Sequence, residues 1–189
     1  MSVVLGGTWV TPAVTRVREF ASSTAAVLVM SGRPGCGKSV AACLWLLEGR
    51  YRPKAVASRS DHVWDQEVLR KVSRRWVSAV DLARAGSFGD AVEDTWRPAE
   101  KAELLVVDDL GQEMLDTKGW ALGNMVALLC RRFDEGLRTV VTTNMCGADW
   151  KARYCSSDGG RLADRLAQGG EFWETSSSSL RRQSPGGMP

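Results

Sequence analysis

The chain has 189 residues, 44% of them hydrophobic, and 25 Lys and Arg against 22 Asp and Glu give a net charge of +3. This length and composition fit one globular domain with a real core, and no run of about 18 apolar residues predicts a membrane span. The start, Met1 to Gly7, lacks a secretory pattern, and five cysteines (Cys36, Cys43, Cys130, Cys146, Cys155) without C-x-x-C spacing argue against a disulfide framework or a zinc site; the expectation is a cytoplasmic protein whose cysteines are small buried hydrophobes.

Residues 1–24 read as a lead-in with a short helix around Pro12–Ala21. Ala25–Met30 (AAVLVM) is apolar without helical period, as suits a strand buried on both faces. Glycines follow, and Ser39–Glu48 reads as a helix ended near Gly49. Lys54–Ser58 fits a short strand, and Asp61 an N-cap for a helix carrying Trp64, Val68 and Val72. Between Arg50 and Arg75 stand eight Lys or Arg against three acids. The acids Asp65 and Glu67 come early in that helix and the bases Arg70, Lys71, Arg74 and Arg75 late, as the helix dipole favours. Contact with a nucleic-acid backbone is the alternative explanation of the cluster.

Trp76–Ser78 then reads as a brief strand and Ala79–Ala85 as a helix closed by Gly86. Leu104–Val107 is a second apolar strand, ending in Asp108 and Asp109. Within Trp120–Glu135, Leu122, Met125, Val126, Leu129, Cys130 and Phe133 share one helical face, and Gly136 stops the helix. Thr139–Thr143 is a third buried strand, Arg161–Gln168 a short helix, and Thr175–Pro189 a tail expected to be mobile beyond Arg182. Alternating strands and helices predict a parallel sheet with helices on its faces. The eight tryptophans are scattered along the chain, which points to packing rather than a stacking platform. His62 has no second ligand nearby, and Asp116 and Lys118 read as loop charges.

Gly32-Arg33-Pro34-Gly35-Cys36-Gly37-Lys38-Ser39 satisfies G-x-x-x-x-G-K-[ST]. A polyphosphate needs a ring of backbone N–H donors within touching distance; glycines at 32, 35 and 37 remove side chains from that approach and permit positive φ. The loop runs into a helix N-terminus, whose free N–H groups favour anions. Lys38 can neutralise the β and γ oxygens of ATP, and the Ser39 hydroxyl can join a magnesium shell. The predicted nucleotide-binding set is Gly32, Gly35, Cys36, Gly37, Lys38, Ser39 and Val40. Two acids at the end of a buried strand need a partner, because an unpaired buried carboxylate is very costly. Magnesium bound to phosphate supplies one: Asp108 is assigned to the metal with Ser39, and Asp109 to the attacking water.

In this order the motifs resemble the AAA+ ATPases of the DnaC-like helicase-loader and IstB-like transposition-helper clade. The resemblance runs from about Val17 to Arg182. It rests on VLVMSGRPGCGKS (27–39), RWVSAVDLAR (75–84), ELLVVDDLG (103–111), LLCRRFDEGLRTVVTTNM (128–145), GGRLADRL (159–166) and SLRR (179–182). It implies a three-layer α/β/α P-loop fold with a mostly parallel sheet, with an ATPase domain over 25–182 between the lead-in and a flexible tail at 183–189. It also implies that Asn144 is sensor 1, that Arg165 is an arginine finger offered to a neighbouring subunit's ATP, and that Arg181, or Arg182 beside it, is the sensor 2 arginine. The chain departs from the pattern in having Asp109 where most AAA+ proteins have glutamate, and in an extra segment at Arg52–Arg74. Loaders of this type carry a separate N-terminal domain that grips the helicase, whereas about 20 residues precede the core here.

The function implied is an ATP- and magnesium-dependent ATPase of DNA replication: a helicase-loader type acting with a replicative helicase, homo-oligomeric on single-stranded DNA, and not a membrane protein. Three alternatives stand beside it: an IstB-like helper on duplex DNA, a P-loop kinase of small molecules, and a nucleotide switch with little turnover.

Overall fold

A computed structural model describes residues 11–48, 72–85, 92–113, 119–156 and 159–175. The strand expected at Lys54–Ser58, the helix capped by Asp61, His62, Asp116, Lys118, Arg181, Arg182 and most of the basic cluster lie outside these residues.

Helix α1 (Pro12–Ser22) begins at Thr11, whose side chain accepts the Val14 N–H at 3.2 Å, and proline in its first turn has the fixed φ a helix start favours. Strand β1 (Val27–Gly32) leads through the glycine loop into α2 (Lys38–Glu48). Next come β2 (Arg74–Ser78) and α3 (Ala79–Ala85), a π-helical turn (Val92–Trp96) running into α4 (Arg97–Lys101), and β3 (Leu104–Leu110). The long helix α5 (Trp120–Asp134) feeds β4 (Arg138–Thr143). Short α6 (Gly147–Trp150) with its π turn (Lys151–Cys155), α7 (Arg161–Gly169) and β5 (Gly170–Thr175) complete the described residues.

The five strands lie in the order β2-β3-β4-β1-β5, and every neighbouring pair is parallel. Side chains alternate across a strand, and here the alternation sorts the core into two sets. Leu28, Met30, Leu104, Val106 and Val140 pack with Val14, Val17 and Phe20 of α1 and Ala41, Ala42 and Trp45 of α2. Val27, Val29, Leu105, Val107 and Val141 face the other way, onto Leu82, Met125, Val126, Leu129, Trp150, Tyr154 and Leu162. Helices therefore cover both faces, giving the α/β/α three-layer P-loop architecture, with a wholly parallel sheet among the described strands.

Helix α1 is thus part of a core layer. Burying Val14, Val17 and Phe20 contributes about 1.5–3 kcal/mol each. Arg138 of β4 ties down the end of α1: its guanidinium donates to the carbonyls of Phe20, Ala21 and Ser23 and lies 4.2 Å from the Phe20 ring centroid. Strand β5, not among the strands expected from the sequence, pairs along the whole of β1. Its GEFWET sequence mixes two acids with two aromatics and is mostly half-buried, so it lacks the apolar run that marks the inner strands. Cysteine burial is also more varied than expected: Cys36 and Cys130 are buried, Cys155 is half-buried, and Cys43 and Cys146 are exposed thiols.

Candidate functional site

In a parallel sheet the carboxyl ends of the strands open on one side, and the loops there meet in a crevice. The glycine loop leaves β1 at that edge, Asp108 and Asp109 stand near the end of β3, and Asn144 follows β4. A cleft of about 400 Å³ lies there, lined by Thr11, Val14, Pro34, Gly35, Gly37, Lys38, Ser39, Val40, Asp109 and Asn144. That volume is within the usual range for a small-molecule site.

Gly35 and Gly37 hold φ of 84° and 92°, the left-handed backbone that lets the loop curl around an anion. Gly32 also holds a positive φ, of 152°, and makes room for a neighbouring strand as well. A Cβ there would collide with Thr175 Cγ2 of β5 and come within 3.3 Å of Cys36 Sγ, so this glycine lets β1 and β5 close against each other. Cys36 sits buried beneath the loop, its Sγ 3.6 Å from Lys38 Nζ, and its side chain does not line the cleft. Val40 does line it, from α2, and is 63% exposed.

Lys38 is 5% exposed, and its ammonium donates to Gly32 O at 2.8 Å, Arg33 O at 3.1 Å and Asn144 Oδ1 at 2.9 Å. The Asn144 amide in turn donates to Asp109 Oδ1 at 3.5 Å. Ser39 Oγ donates to Asp108 Oδ1 at 2.9 Å. Residues read from three separate motifs thus meet in two hydrogen-bonded groups, Lys38 with Asn144 and Asp109, and Ser39 with Asp108.

This donor set suits a hard divalent cation carried by a nucleotide. Ser39 and Asp108 offer oxygens side by side, and no group of three or more His, Cys, Asp or Glu among the described residues could hold a metal unaided. Magnesium characteristically takes one or two protein ligands and completes its shell with phosphate and water.

Arg165 is not brought to this cleft. It lies on α7 and pairs in a fork with Asp134 at the end of α5, Nε to Oδ1 and a terminal nitrogen to Oδ2, both at 3.0 Å. Arg181 lies outside the described residues.

Several residues were not singled out from sequence. Thr11 and Val14 bring α1 to the cleft wall; a short helix around Pro12–Ala21 was legible, its destination was not. Glu113, with a side chain wholly removed from solvent, accepts from the Tyr154 hydroxyl, from Arg153 at 2.8 Å and from the Gly111 amide at 2.7 Å. Burial first, and then the Glu113 carboxylate, push the Tyr154 phenol well above its ordinary range, so it stays a donor. Arg132 of α5 is fully buried and donates to the carbonyls of Ala99, Glu100, Ala102 and Arg138 and to Thr139 Oγ1. Burial brings its pKa down to about 10, partly offset by Glu135, which leaves it charged at neutral pH.

Comparison with known protein families finds no match, and neither does comparison with curated proteins. Solved structures do match. The DnaC helicase loader is similar at 20% identity over 85% of this chain and 86% of that one, with a TM-score of 0.57. DnaI is similar at 18% identity over 95% and 88%, with a TM-score of 0.61. AMPPCP-bound DnaA from Aquifex aeolicus is similar at 15% identity over 88% of this chain and 48% of that one, with a TM-score of 0.59. The likeness seen in the motifs thus holds for the fold, which the chain shares with these three proteins.

Proposed function

We propose that this chain binds ATP with magnesium and hydrolyses it, as an AAA+ ATPase of DNA replication of the helicase-loader type. The observation that carries the reading is the meeting of Lys38, Ser39, Asp109 and Asn144 in one cleft, with Asp108 bonded to Ser39, beside a loop of left-handed glycines. A kinase or transferase also needs the cradle, but the carboxylate and amide pair, Asp109 and Asn144, suits the orientation of a water.

In this reading the loop amides and the α2 N-terminus hold the phosphates. Lys38 exchanges carbonyl partners for the β and γ oxygens. Magnesium, when bound, neutralises charge on the β- and γ-phosphates and is held by Ser39 and Asp108. Asp109 accepts a hydrogen bond from the attacking water, whose oxygen forms the new bond to the γ-phosphorus as the bond to the β,γ-bridging oxygen breaks. Asn144 holds Asp109 and the terminal phosphate in register. Thr11, Val14 and Val40 form the less polar end of the cleft, placed for the nucleoside. Arg165, released from Asp134, would stabilise charge on a neighbouring subunit's phosphoryl group, which makes a homo-oligomer part of the proposal. Single-stranded DNA and a replicative helicase are the proposed partners. The described part of the chain contains no helix long and apolar enough to cross a membrane.

Lys38→Ala tests the core of this. The expected result is loss of phosphate release to background, by at least about 100-fold, with nucleotide binding weakened in parallel. Near-normal turnover in that variant would refute the proposal. Following radiolabelled γ-phosphate separates hydrolysis, which yields inorganic phosphate, from transfer to an acceptor.

A further inference from the structure

The ladder between β3 and β4 is interrupted where the two acids stand. Val107 pairs with Val141 and Leu110 with Thr143, so three steps along β3 are matched by two along β4. Asp109 sits in that bulge with φ of 55°, the single positive φ outside glycine among the described residues. A bulge re-aims side chains and leaves its extra residue without a ladder partner. At this one the missing partner is a side chain: the Asp109 amide donates to Thr142 Oγ1 at 3.0 Å.

The same hydroxyl donates to Asp108 Oδ1 at 2.6 Å, the oxygen that also takes the Ser39 hydroxyl. Thr142 therefore touches both acids at once, one through its carboxylate and the other through its backbone. Beyond the bulge Thr143 resumes the pairing, its hydroxyl donating to Leu110 O at 2.6 Å and accepting from Met145 N at 3.1 Å. Thr142 is fully buried and follows two valines in β4. A valine would fill that space with equal β-propensity, so what the threonine adds is its hydroxyl.

We infer that Thr142 is a positioning residue of the site, its one hydroxyl setting the distance between the metal-side acid and the water-side acid. The inference rests on the magnesium–ATP reading given above. It goes beyond that reading in assigning a role to a buried residue that does not line the cleft.

Thr142→Val removes the hydroxyl and keeps the shape. Turnover, Km, melting temperature and the magnesium dependence of binding a fluorescent ATP analogue are measured for wild type, Thr142→Val and Thr142→Ser. The valine variant is expected to lose about 10–100-fold in kcat, the scale of a misplacement on the order of 1 Å, with Km and magnesium-free binding within about threefold of wild type. Its midpoint for magnesium is expected to rise by at least about fivefold, and the serine variant should recover most of both effects. If the valine variant does not fold, Thr142→Cys, with its weak donor, is measured in its place against the same expectations.

The inference is overturned if valine leaves both turnover and the magnesium midpoint within about twofold of wild type. It is equally overturned if serine loses as much as valine, or if the losses follow melting temperature alone. Absence of turnover in the wild type would instead refute the hydrolytic reading, and the magnesium midpoint of analogue binding would still decide the role of Thr142.

Discussion

Glu113 shows how much one side chain can hold in place behind a site. Its carboxylate is enclosed and accepts from Gly111, Arg153 and Tyr154, joining the turn after Asp109 to the segment that follows Asn144. Glu113→Ala would remove, in a largely buried place, the carboxylate to which the Tyr154 hydroxyl and the Arg153 guanidinium donate, and would leave Arg153 the Glu113 carbonyl at 3.3 Å. The expected loss is about 2–4 kcal/mol, discounted because Arg153 retains some access to water. At this chain length that corresponds to a fall of roughly 5–12 °C in melting temperature. Thermal unfolding followed by circular dichroism checks it, and a fall of under about 2 °C would show that the network contributes little. This glutamate was not visible as a structural residue in the sequence, where LGQEM reads as an ordinary polar turn. Its meaning comes from Tyr154, forty-one positions later.

At the scale of elements, the end of the sheet opposite the cleft is fastened by Arg132. One guanidinium on α5 reaches carbonyls at the end of α4 and before β3, and both a carbonyl and a hydroxyl at the start of β4. The planar fork suits this arrangement, and a lysine offers three donors from a single point. Arg132→Met should cost about 2–4 kcal/mol by leaving those buried acceptors unmade, and Arg132→Lys should restore less than half of it. Urea unfolding measures both; full rescue by lysine would contradict the importance given to the fork. The motif R-R-F-D-E-G was legible as the end of an amphipathic helix. That its second arginine points inward, while a surface position would be the ordinary reading of a helical arginine, was not.

For the whole molecule, the outstanding question is whether the site is complete within one chain. The cleft assembles the P-loop, Asp109 and Asn144, with Asp108 bonded to Ser39 beside it, and Arg165 stands apart on α7, paired with Asp134. If Arg165 acts on a neighbour, Arg165→Ala should bind ATP as wild type does, yet lose at least about 10-fold in turnover at concentrations where the protein assembles. Mixing it with Asp109→Asn should then recover part of the activity, because mixed contacts pair an intact finger with an intact cleft. Steady-state phosphate release over a titration of the two variants reads this out, and a mixture that stays as inactive as its parts would remove the support for action in trans. At 18–20% identity the likeness to the DnaC helicase loader and DnaI carries the architecture alone.

Local chemistry made the glycine loop, the inner strands β1, β3 and β4, the long helix α5 and the acids at the end of β3 legible from residue order. A phosphate cradle needs glycines at fixed spacing, and doubly covered strands need unbroken apolar runs; both are short-range patterns. What residue order could not decide was set by contacts between distant segments. Gly32 answers to Thr175, α1 joins a core layer and a cleft wall, β5 closes the sheet with an amphipathic sequence, and Thr142 fills the gap left by a bulge one strand away. A buried hydroxyl, carboxylate or guanidinium takes its role from whichever donors or acceptors folding places against it, and only the assembled sheet brings those partners within hydrogen-bonding distance.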